Sequence, residues 1–242
     1  MLKRKALWLT FILVSMLTLP GLALPKSLIM SMEISSKQGN KPIKANAQLW
    51  YANQKFRAEI TSNFNAASQG NTPVKIGNKA TVISDLSKKV AYLIDDASKT
   101  AIKIDQAQVG QMTGGAQSGP QTFTDPTSLT DPAKIKAEIK KQGGKEFGKA
   151  KILGHSCTIW QMSGKTQMPV GQGKSQTQNV TSKVWLADAI GMPLKVEVSS
   201  DKMGEIMRMQ ATKVQVNVPV NNGMFGIPSG YQVRDLMDMY KR

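Results

Sequence analysis

The sequence predicts a mainly β protein that forms one antiparallel sheet with a single apolar face. Its strand-like runs alternate apolar and polar residues with the period of two that is typical of half-buried strands. The runs are short and closely spaced, with turn residues between them, which favours an antiparallel meander over βαβ units. A length of 242 residues suits one such domain, and no repeat of fixed period interrupts it.

The clearest hairpin lies in residues 182–199. Val184 and Leu186 alternate with their neighbours, residues 188–193 break the pattern with Gly and Pro, and alternation resumes through Leu194, Val196 and Val198. A period of two around a Gly/Pro break predicts two strands and a tight turn. Lys195 and Glu197 occupy the intervening positions, so this hairpin has one wet face and one apolar face.

The remaining strands follow from the same alternation. Turns are predicted at residues 37–42, 52–54, 85–88 and 95–99, where Gly, Asn, Asp, Gln and Ser cluster. Polar loops are predicted at 66–72, 106–130 and 163–181. The loop at 106–130 has two interpretations, a surface segment that closes over the sheet or a disordered linker. The predicted strands are 28–34, 45–51, 55–61, 79–84, 90–94, 101–104, 156–162 and 205–218.

One helix is predicted, from Asp131 to about Gln142. Asp131 suits the N-cap and Pro132 the first helical position, and the glycine pair that follows Gln142 ends the helix. Ile135 and Ile139 form a narrow apolar stripe among lysines. Such a helix must lie on something apolar, so we expect it to cover the open face of the sheet.

The first 23 residues read as a secretory signal peptide. Lys3, Arg4 and Lys5 form a positive start, residues 6–19 are apolar, and small residues end at Ala23, after which we expect cleavage. An uncleaved membrane anchor is the alternative. No Cys follows the cleavage site, so a lipid-modified lipoprotein is not predicted. The expected location is periplasmic or secreted.

Residues 24–242 then form a single domain without a disulfide framework, since Cys157 is the only cysteine. His155, the only histidine, lies two residues away, and a structural cysteine is favoured over a catalytic pair. One His and one Cys are too few for a zinc site, so no metal is predicted. The only adjacent acids, Asp95 and Asp96, fall in a predicted turn. We therefore predict no enzyme and no cofactor.

Charge favours anionic partners. The formal net charge is +16, of which the signal peptide supplies three, leaving +13. The lysines are scattered without aromatic residues between them, so no nucleic-acid site is predicted, and an anionic membrane surface remains a candidate partner.

Four stretches together resemble the outer-membrane lipoprotein carrier superfamily, the LolA/LolB-like proteins, and an uncharacterised exported member of it. The resemblance spans most of the chain after residue 24, and the order of the motifs carries it. The stretches are QLWY (48–51) with FRAE (56–59), GNK (77–79) through VAYLID (90–95), VWL (184–186) with MPLK (192–195), and FGIP (225–228) with GY (230–231).

The resemblance implies a curved, incompletely closed antiparallel β-barrel with a covering helix. It also implies an apolar concave face that takes acyl chains, with a lipid or an acylated protein as partner. The carrier proper has a basic residue followed by Pro in its early hairpin turn. Here that turn is Ala52-Asn53-Gln54, with neither, so lipoprotein transfer itself is not implied.

Two functions follow as hypotheses. The first is an envelope protein that binds an acyl or lipid ligand in a half-barrel cavity. The second is an interaction or structural module of the envelope that fills its cavity with its own side chains. Alternation selects ten candidate lining positions, each either plain core or ligand contact, and a shift of register by one residue would swap the faces. They are Met30, Met32, Leu49, Phe56, Ile60, Tyr92, Trp160, Trp185, Leu194 and Met207.

Overall fold

The computed structural model describes residues 25–38, 41–62, 79–105, 137, 139–141, 143–171, 174–236 and 238. The predicted signal peptide and the predicted loops 66–72 and 106–130 lie outside them. Twelve strands form one sheet. They are β1 (Ser27–Gln38), β2 (Lys41–Ala52), β3 (Lys55–Ser62), β4 (Lys79–Asp85), β5 (Val90–Asp95), β6 (Thr100–Asp105), β7 (Lys145–Ile152), β8 (His155–Gly171), β9 (Lys174–Ala187), β10 (Pro193–Ser200), β11 (Gly204–Val216) and β12 (Gln232–Asp235).

The strand order is β12-β6-β5-β4-β3-β2-β1-β11-β10-β9-β8-β7. Two antiparallel meanders, β1–β6 and β7–β11, therefore join where β1 pairs with β11. Only β12 is parallel to its neighbour, β6. Among the described strands β7 and β12 are the two edges, so the sheet is not closed. This confirms the predicted fold class, an incompletely closed antiparallel sheet.

The predicted turns at 85–88 and 95–99 are confirmed, and an aspartate organises each. The Asp85 carboxylate accepts a hydrogen bond from the Lys88 backbone N–H at 3.2 Å. Asp95 accepts from the backbone N–H groups of Ala97 and Ser98, at 3.0 and 3.3 Å. These are the local side-chain bonds that make Asp a turn residue.

The predicted polar loop at 163–181 is wrong. These residues instead extend the β8–β9 hairpin, whose paired register runs from Cys157 opposite Ala187 to Gly171 opposite Lys174. Their Gln, Gly, Ser and Thr lack an apolar face to reveal a strand. The pairing is carried by the backbone ladder and by contacts such as the 3.1 Å hydrogen bond between the Ser163 and Thr181 hydroxyls.

Strand β7 was not predicted, and the turn at 37–42 was predicted too long. β7 is an edge strand that is mostly exposed, and its lysines and bulge near Phe147 hide the alternation. Charge and bulges are common on edge strands because they discourage pairing with other chains. β1 ends at Gln38 and β2 begins at Lys41, so the connection between them is only two residues long.

The turn between β2 and β3 has an unusual backbone. Asn53 and Gln54 both have positive φ, 51° and 60°. Two such residues in succession characterise a type I′ hairpin turn. Proline has its φ fixed near −65°, so it fits neither position.

The register divides the sheet into two faces. One, called the core face below, carries Met30 of β1; the other, the opposite face, carries Ile29. The largest buried cluster takes most of its members from the core face, reaches from β1 to β6, and continues through β11 and β10 to Ala187 of β9 and Cys157 of β8. A smaller one on the opposite face of β4–β6 contains Ile83, Ile94 and Ala101.

The C-terminal segment covers this smaller cluster. Ile227 and Tyr231 pack against it. The Arg57 guanidinium donates to the Met224 carbonyl at 2.9 Å, and the Tyr231 hydroxyl donates to the Asp96 carboxylate. The Lys99 ammonium lies 5.0 Å from the centre of the Tyr231 ring. The opposite face at β3–β6 is therefore closed by the chain itself.

Candidate hydrophobic-ligand site

Methionine and alanine alternate across the middle of the core face. Met32 of β1 lies between Ala47 of β2 and Ala211 of β11, which pair with it on either side. One row further along, Leu49 separates Met30 from Ala58. Methionine adapts its shape easily, and alanine leaves volume above the strand that another group must fill. The centre of the face is thus built from small and adaptable side chains.

Two aromatic rings close one end of this face. Tyr51 and Phe56 are cross-strand partners on β2 and β3, and their ring centroids are 4.7 Å apart. Phe56 is only 1% exposed. Burial raises the pKa of the Tyr51 hydroxyl, and a backbone hydrogen bond at Gln54 opposes that rise. The phenol therefore stays neutral and adds no charge to the apolar face.

The other end of the face meets the predicted helix. Residues 137 and 139–141 are helical, and the glycine pair ends the helix as predicted: Gly143 and Gly144 donate to the carbonyls of Lys140 and Ile139 at 2.9 and 2.8 Å. Ile139 is buried and forms a cluster with Trp160 and Leu186. The described part of the helix thus covers the sheet at β8 and β9, as the narrow apolar stripe predicts.

Trp160 is 1% exposed, and its indole nitrogen has no hydrogen-bond partner in the part of the chain that the structure describes. A buried N–H without an acceptor is uncommon in folded proteins. Gln178 Oε1 is the other unpartnered buried side-chain atom among the described residues. The two lie on the same face, but Gln178 pairs with Thr166 and Trp160 with Val184, six residues along the hairpin. About 20 Å separates such positions, so neither atom serves the other.

The structure brings seven of the ten predicted lining residues onto the core face. Successive cross-strand pairs carry one face across the sheet: Trp160 pairs with Val184, Val184 with Val196, Val196 with Met209, and Met209 with Ile34. Alternation along each strand, counted from Met30 and from these paired residues, assigns the other candidates to a face. The seven are Met30, Met32, Leu49, Phe56, Ile60, Trp160 and Met207, all buried. Leu194 is also buried, but it lies at the register shift between Pro193 and Lys195, where strand pairing assigns it to neither face.

Tyr92 and Trp185 lie on the opposite face. Tyr92 pairs with Ile83 and packs against the cluster beneath the C-terminal segment. Trp185 pairs with Lys195, whose ammonium lies 4.5 Å from the indole centre, and it borders the large cluster at its margin. The alternation identified both as strand residues. It did not reveal that a second apolar cluster covers Tyr92 or that a lysine covers Trp185. They are left out of the site.

Several lining residues were missed. Ala47, Ala58 and Ala211 were not candidates, because alanine alone gives little hydrophobic signal. Met209 lies between Val196 and Ile34 on the core face and is 1% exposed. Its alternation with Met207 in the sequence was the available signal.

The His155–Cys157 pair does not form a nucleophile. The Cys157 thiol is fully buried and its nearest polar contact is the His155 carbonyl oxygen, 3.5 Å away, instead of the imidazole. Burial raises the pKa of the Cys157 thiol, and the nearby Asp188 carboxylate adds to the rise, while a backbone hydrogen bond at Ile152 opposes it. A reactive cysteine needs the opposite environment.

Within the described residues, no three His, Cys, Asp or Glu side chains come close enough to hold a metal ion. The same residues include no helix with the length and hydropathy needed to cross a membrane.

No family model matches the chain, and no curated protein matches it. Solved structures do. An uncharacterised conserved protein from Thermus thermophilus matches with a TM-score of 0.47 and 9% identity, over 94% of this chain and 98% of that one. A putative outer-membrane lipoprotein-sorting protein domain from Vibrio parahaemolyticus matches with a TM-score of 0.35 and 13% identity, over 90% and 95%.

A third similar structure is the MucA/MucB complex of Pseudomonas aeruginosa, with a TM-score of 0.43 and 11% identity, over 86% of this chain and 58% of that one. The matches thus include a lipoprotein-sorting domain, the kind of protein that the sequence resemblance named. Function has to be argued from the side chains of this chain.

Proposed function

We propose that this protein is an exported envelope protein that binds the hydrocarbon chain of a lipid or acylated molecule on its core face. The observation that carries the proposal is the row Ala47–Met32–Ala211, which crosses three adjacent strands with small and adaptable side chains only. Apolar ligand sites are concave, largely hydrophobic surfaces with few polar groups, and this row offers such a surface at the centre of the sheet.

The cover of the face supports the same function. At β8 and β9 the described cover is one residue, Ile139, at the end of a helix among exposed lysines. Displacing Ile139 would return the apolar area of its side chain to water, and an acyl chain in its place would cover the same surface again. We propose that an acyl chain replaces Ile139 over Trp160 and Leu186.

The burial of the core face favours a second candidate function, an interaction module whose cavity is filled by its own side chains. All seven core-face candidates are at most 7% exposed without any ligand, which is what a self-filled module would show. Such a module would meet its partner through the opposite face, where Lys183 lies 4.4 Å from the ring centre of the exposed Phe147 and Lys195 stacks on Trp185. An anionic membrane surface or an acidic protein suits this combination of lysine and aromatic residues.

A titration with a fluorescent fatty-acyl probe tests the first function against the second. We expect saturable binding by the exported protein, weakened at least tenfold by Ala47→Phe, because the added ring occupies the volume above β2. Gln48→Phe is the matched control: Gln48 is the next residue of β2 but exposed on the opposite face, so binding should stay near that of the wild type.

Both variants must first show a strand-rich circular dichroism spectrum and cooperative unfolding. Absence of binding by the wild type would reject the carrier function. Equal weakening by the two substitutions would reject the core face as the site. Salt-sensitive binding of the wild type to anionic vesicles, with no uptake of the acyl probe, would favour the interaction module.

A further inference from the structure

The indole N–H of Trp160 is a polar group within an otherwise apolar surface. Apolar ligand sites contain only a few such polar groups. The indole N–H is buried at the end of the core face, among Ile139, Leu186 and Met162, and no atom of the described residues accepts its hydrogen bond. Leaving a buried donor unpaired costs free energy. If packing were the only requirement at this position, a Phe or Leu would make the folded protein more stable than Trp.

The indole nitrogen can only donate, so its missing partner is an acceptor. The side chains of Ile139 and Leu186 carry no acceptor, and Met162, which packs against them, offers only a weak thioether acceptor. The other unpartnered buried atom, Gln178 Oε1, is an acceptor but lies too far along the hairpin to reach it. The described residues therefore supply no acceptor for it.

We infer that the Trp160 indole N–H binds the ester or amide carbonyl that joins an acyl chain to its head group. This inference rests on the proposed function and deepens it, because it selects acyl lipids over plain hydrocarbons and alkyl ethers. The chain would lie over the Met–Ala row while its carbonyl meets Trp160 at the margin of the face. A neutral carbonyl suits this donor, since a charged head group would be costly to bury beside Ile139.

The test compares two probes of the same chain length, a monoacylglycerol and the corresponding monoalkylglycerol, which lacks the carbonyl. The wild type should bind the ester about tenfold more tightly than the ether, the scale of one buried hydrogen bond. Trp160→Phe keeps an aromatic ring but removes the N–H, so it should bind both probes with equal affinity. Trp185→Phe, on the opposite face, should keep the preference for the ester.

The outcomes separate the two claims. If the wild type binds both probes equally, or Trp160→Phe keeps the preference, the carbonyl inference fails while the hydrophobic-ligand function stands. If neither probe binds, the proposed function fails and the inference with it.

A second measurement covers the case in which Trp160→Phe does not fold. In ¹⁵N-labelled wild-type protein, the Trp160 indole N–H signal, assigned with Trp50→Phe and Trp185→Phe, should move downfield when the ester is added and should not do so with the ether. An unmoved signal in the presence of bound ester would overturn the inference.

Discussion

Trp160 and Trp185 stand on opposite faces of the same β8–β9 hairpin. Trp160 pairs with Val184, the residue immediately before Trp185, and successive strand residues point to opposite sides. One indole is buried beneath Ile139, while the other lies under the ammonium of Lys195. The pair therefore provides an internal comparison between the proposed ligand face and the surface behind it.

Brominated acyl chains should report which tryptophan touches the ligand. In a variant whose only tryptophan after residue 24 is Trp160, a bromine-labelled fatty acid should quench the emission strongly, because bromine quenches at contact range. In the matched variant that keeps only Trp185, the same ligand should leave the emission nearly unchanged. Stronger quenching of Trp185 would place the ligand on the opposite face and would contradict the proposed site on the core face.

The sequence was informative wherever one face of a strand is apolar. Alternation alone placed the hairpin at 182–199 and found seven residues of the core face. It failed at residues 163–181, where Gln, Ser, Thr and Gly leave no face to detect, and at β7, whose edge position favours lysine. Which face a residue such as Tyr92 covers depends on the C-terminal segment that packs over it, a contact between distant parts of the chain that no local pattern contains.

Gly144→Ala should loosen the covering helix. A Cβ at Gly144 would lie 2.3 Å from Ile139 Cγ2 and 2.6 Å from the Ile139 carbonyl oxygen, so the end of the helix or the Ile139 side chain, which packs on Trp160, must move. We expect a loss of about 1–3 kcal/mol in the free energy of unfolding, the usual cost of overpacking, measured by urea denaturation. Uptake of an acyl probe should also become faster, because the displaced Ile139 no longer competes for the site.

Gly164→Ala is the matched control for this variant. Gly164 lies on β8, and a Cβ there would meet no atom within 4 Å. Its stability and uptake rate should remain close to those of the wild type. Equal stability of the Gly144 and Gly164 variants would show that the contact between Gly144 and Ile139 does not hold the helix in place.

Stability should fall in acid partly through Glu59. Partial burial alone would raise the pKa of the Glu59 carboxyl, but hydrogen bonds and charge attraction from Arg57 and Lys79 outweigh it, and the pKa lies below its ordinary value of 4.5. A lowered acid pKa contributes stability that is fully present above the unfolded-state value and is lost as the pH falls through the folded-state value. The loss should therefore appear below about pH 4.5.

Glu59→Gln should reduce this acid sensitivity, measured as the change in urea midpoint between pH 6 and pH 3. Asp85→Asn should act in the same direction: burial raises the pKa of that carboxyl less than its bonds to Ser87 and Lys88 lower it. The urea midpoint of the double variant should change less between pH 6 and pH 3 than that of either single variant. An unchanged midpoint difference in Glu59→Gln would contradict the assigned role of the ion pairs with Arg57 and Lys79.

Cys157 should resist thiol reagents in the folded protein. Its thiol is fully buried and its pKa is raised, so the thiolate that attacks a maleimide is scarce and shielded. We expect labelling at pH 7.5 to be at least a hundredfold slower than in 6 M guanidinium chloride, followed by mass spectrometry. Rapid labelling of the folded protein would reopen the question of a nucleophilic cysteine.

Native mass spectrometry of the exported protein, purified without detergent, tests the central claim most directly. The account predicts a chain that begins at residue 24 and carries extra mass, which extracts into organic solvent and is identified as an acyl lipid. A bare chain mass that takes up no added acylglycerol would contradict it and leave the self-filled interaction module as the better account.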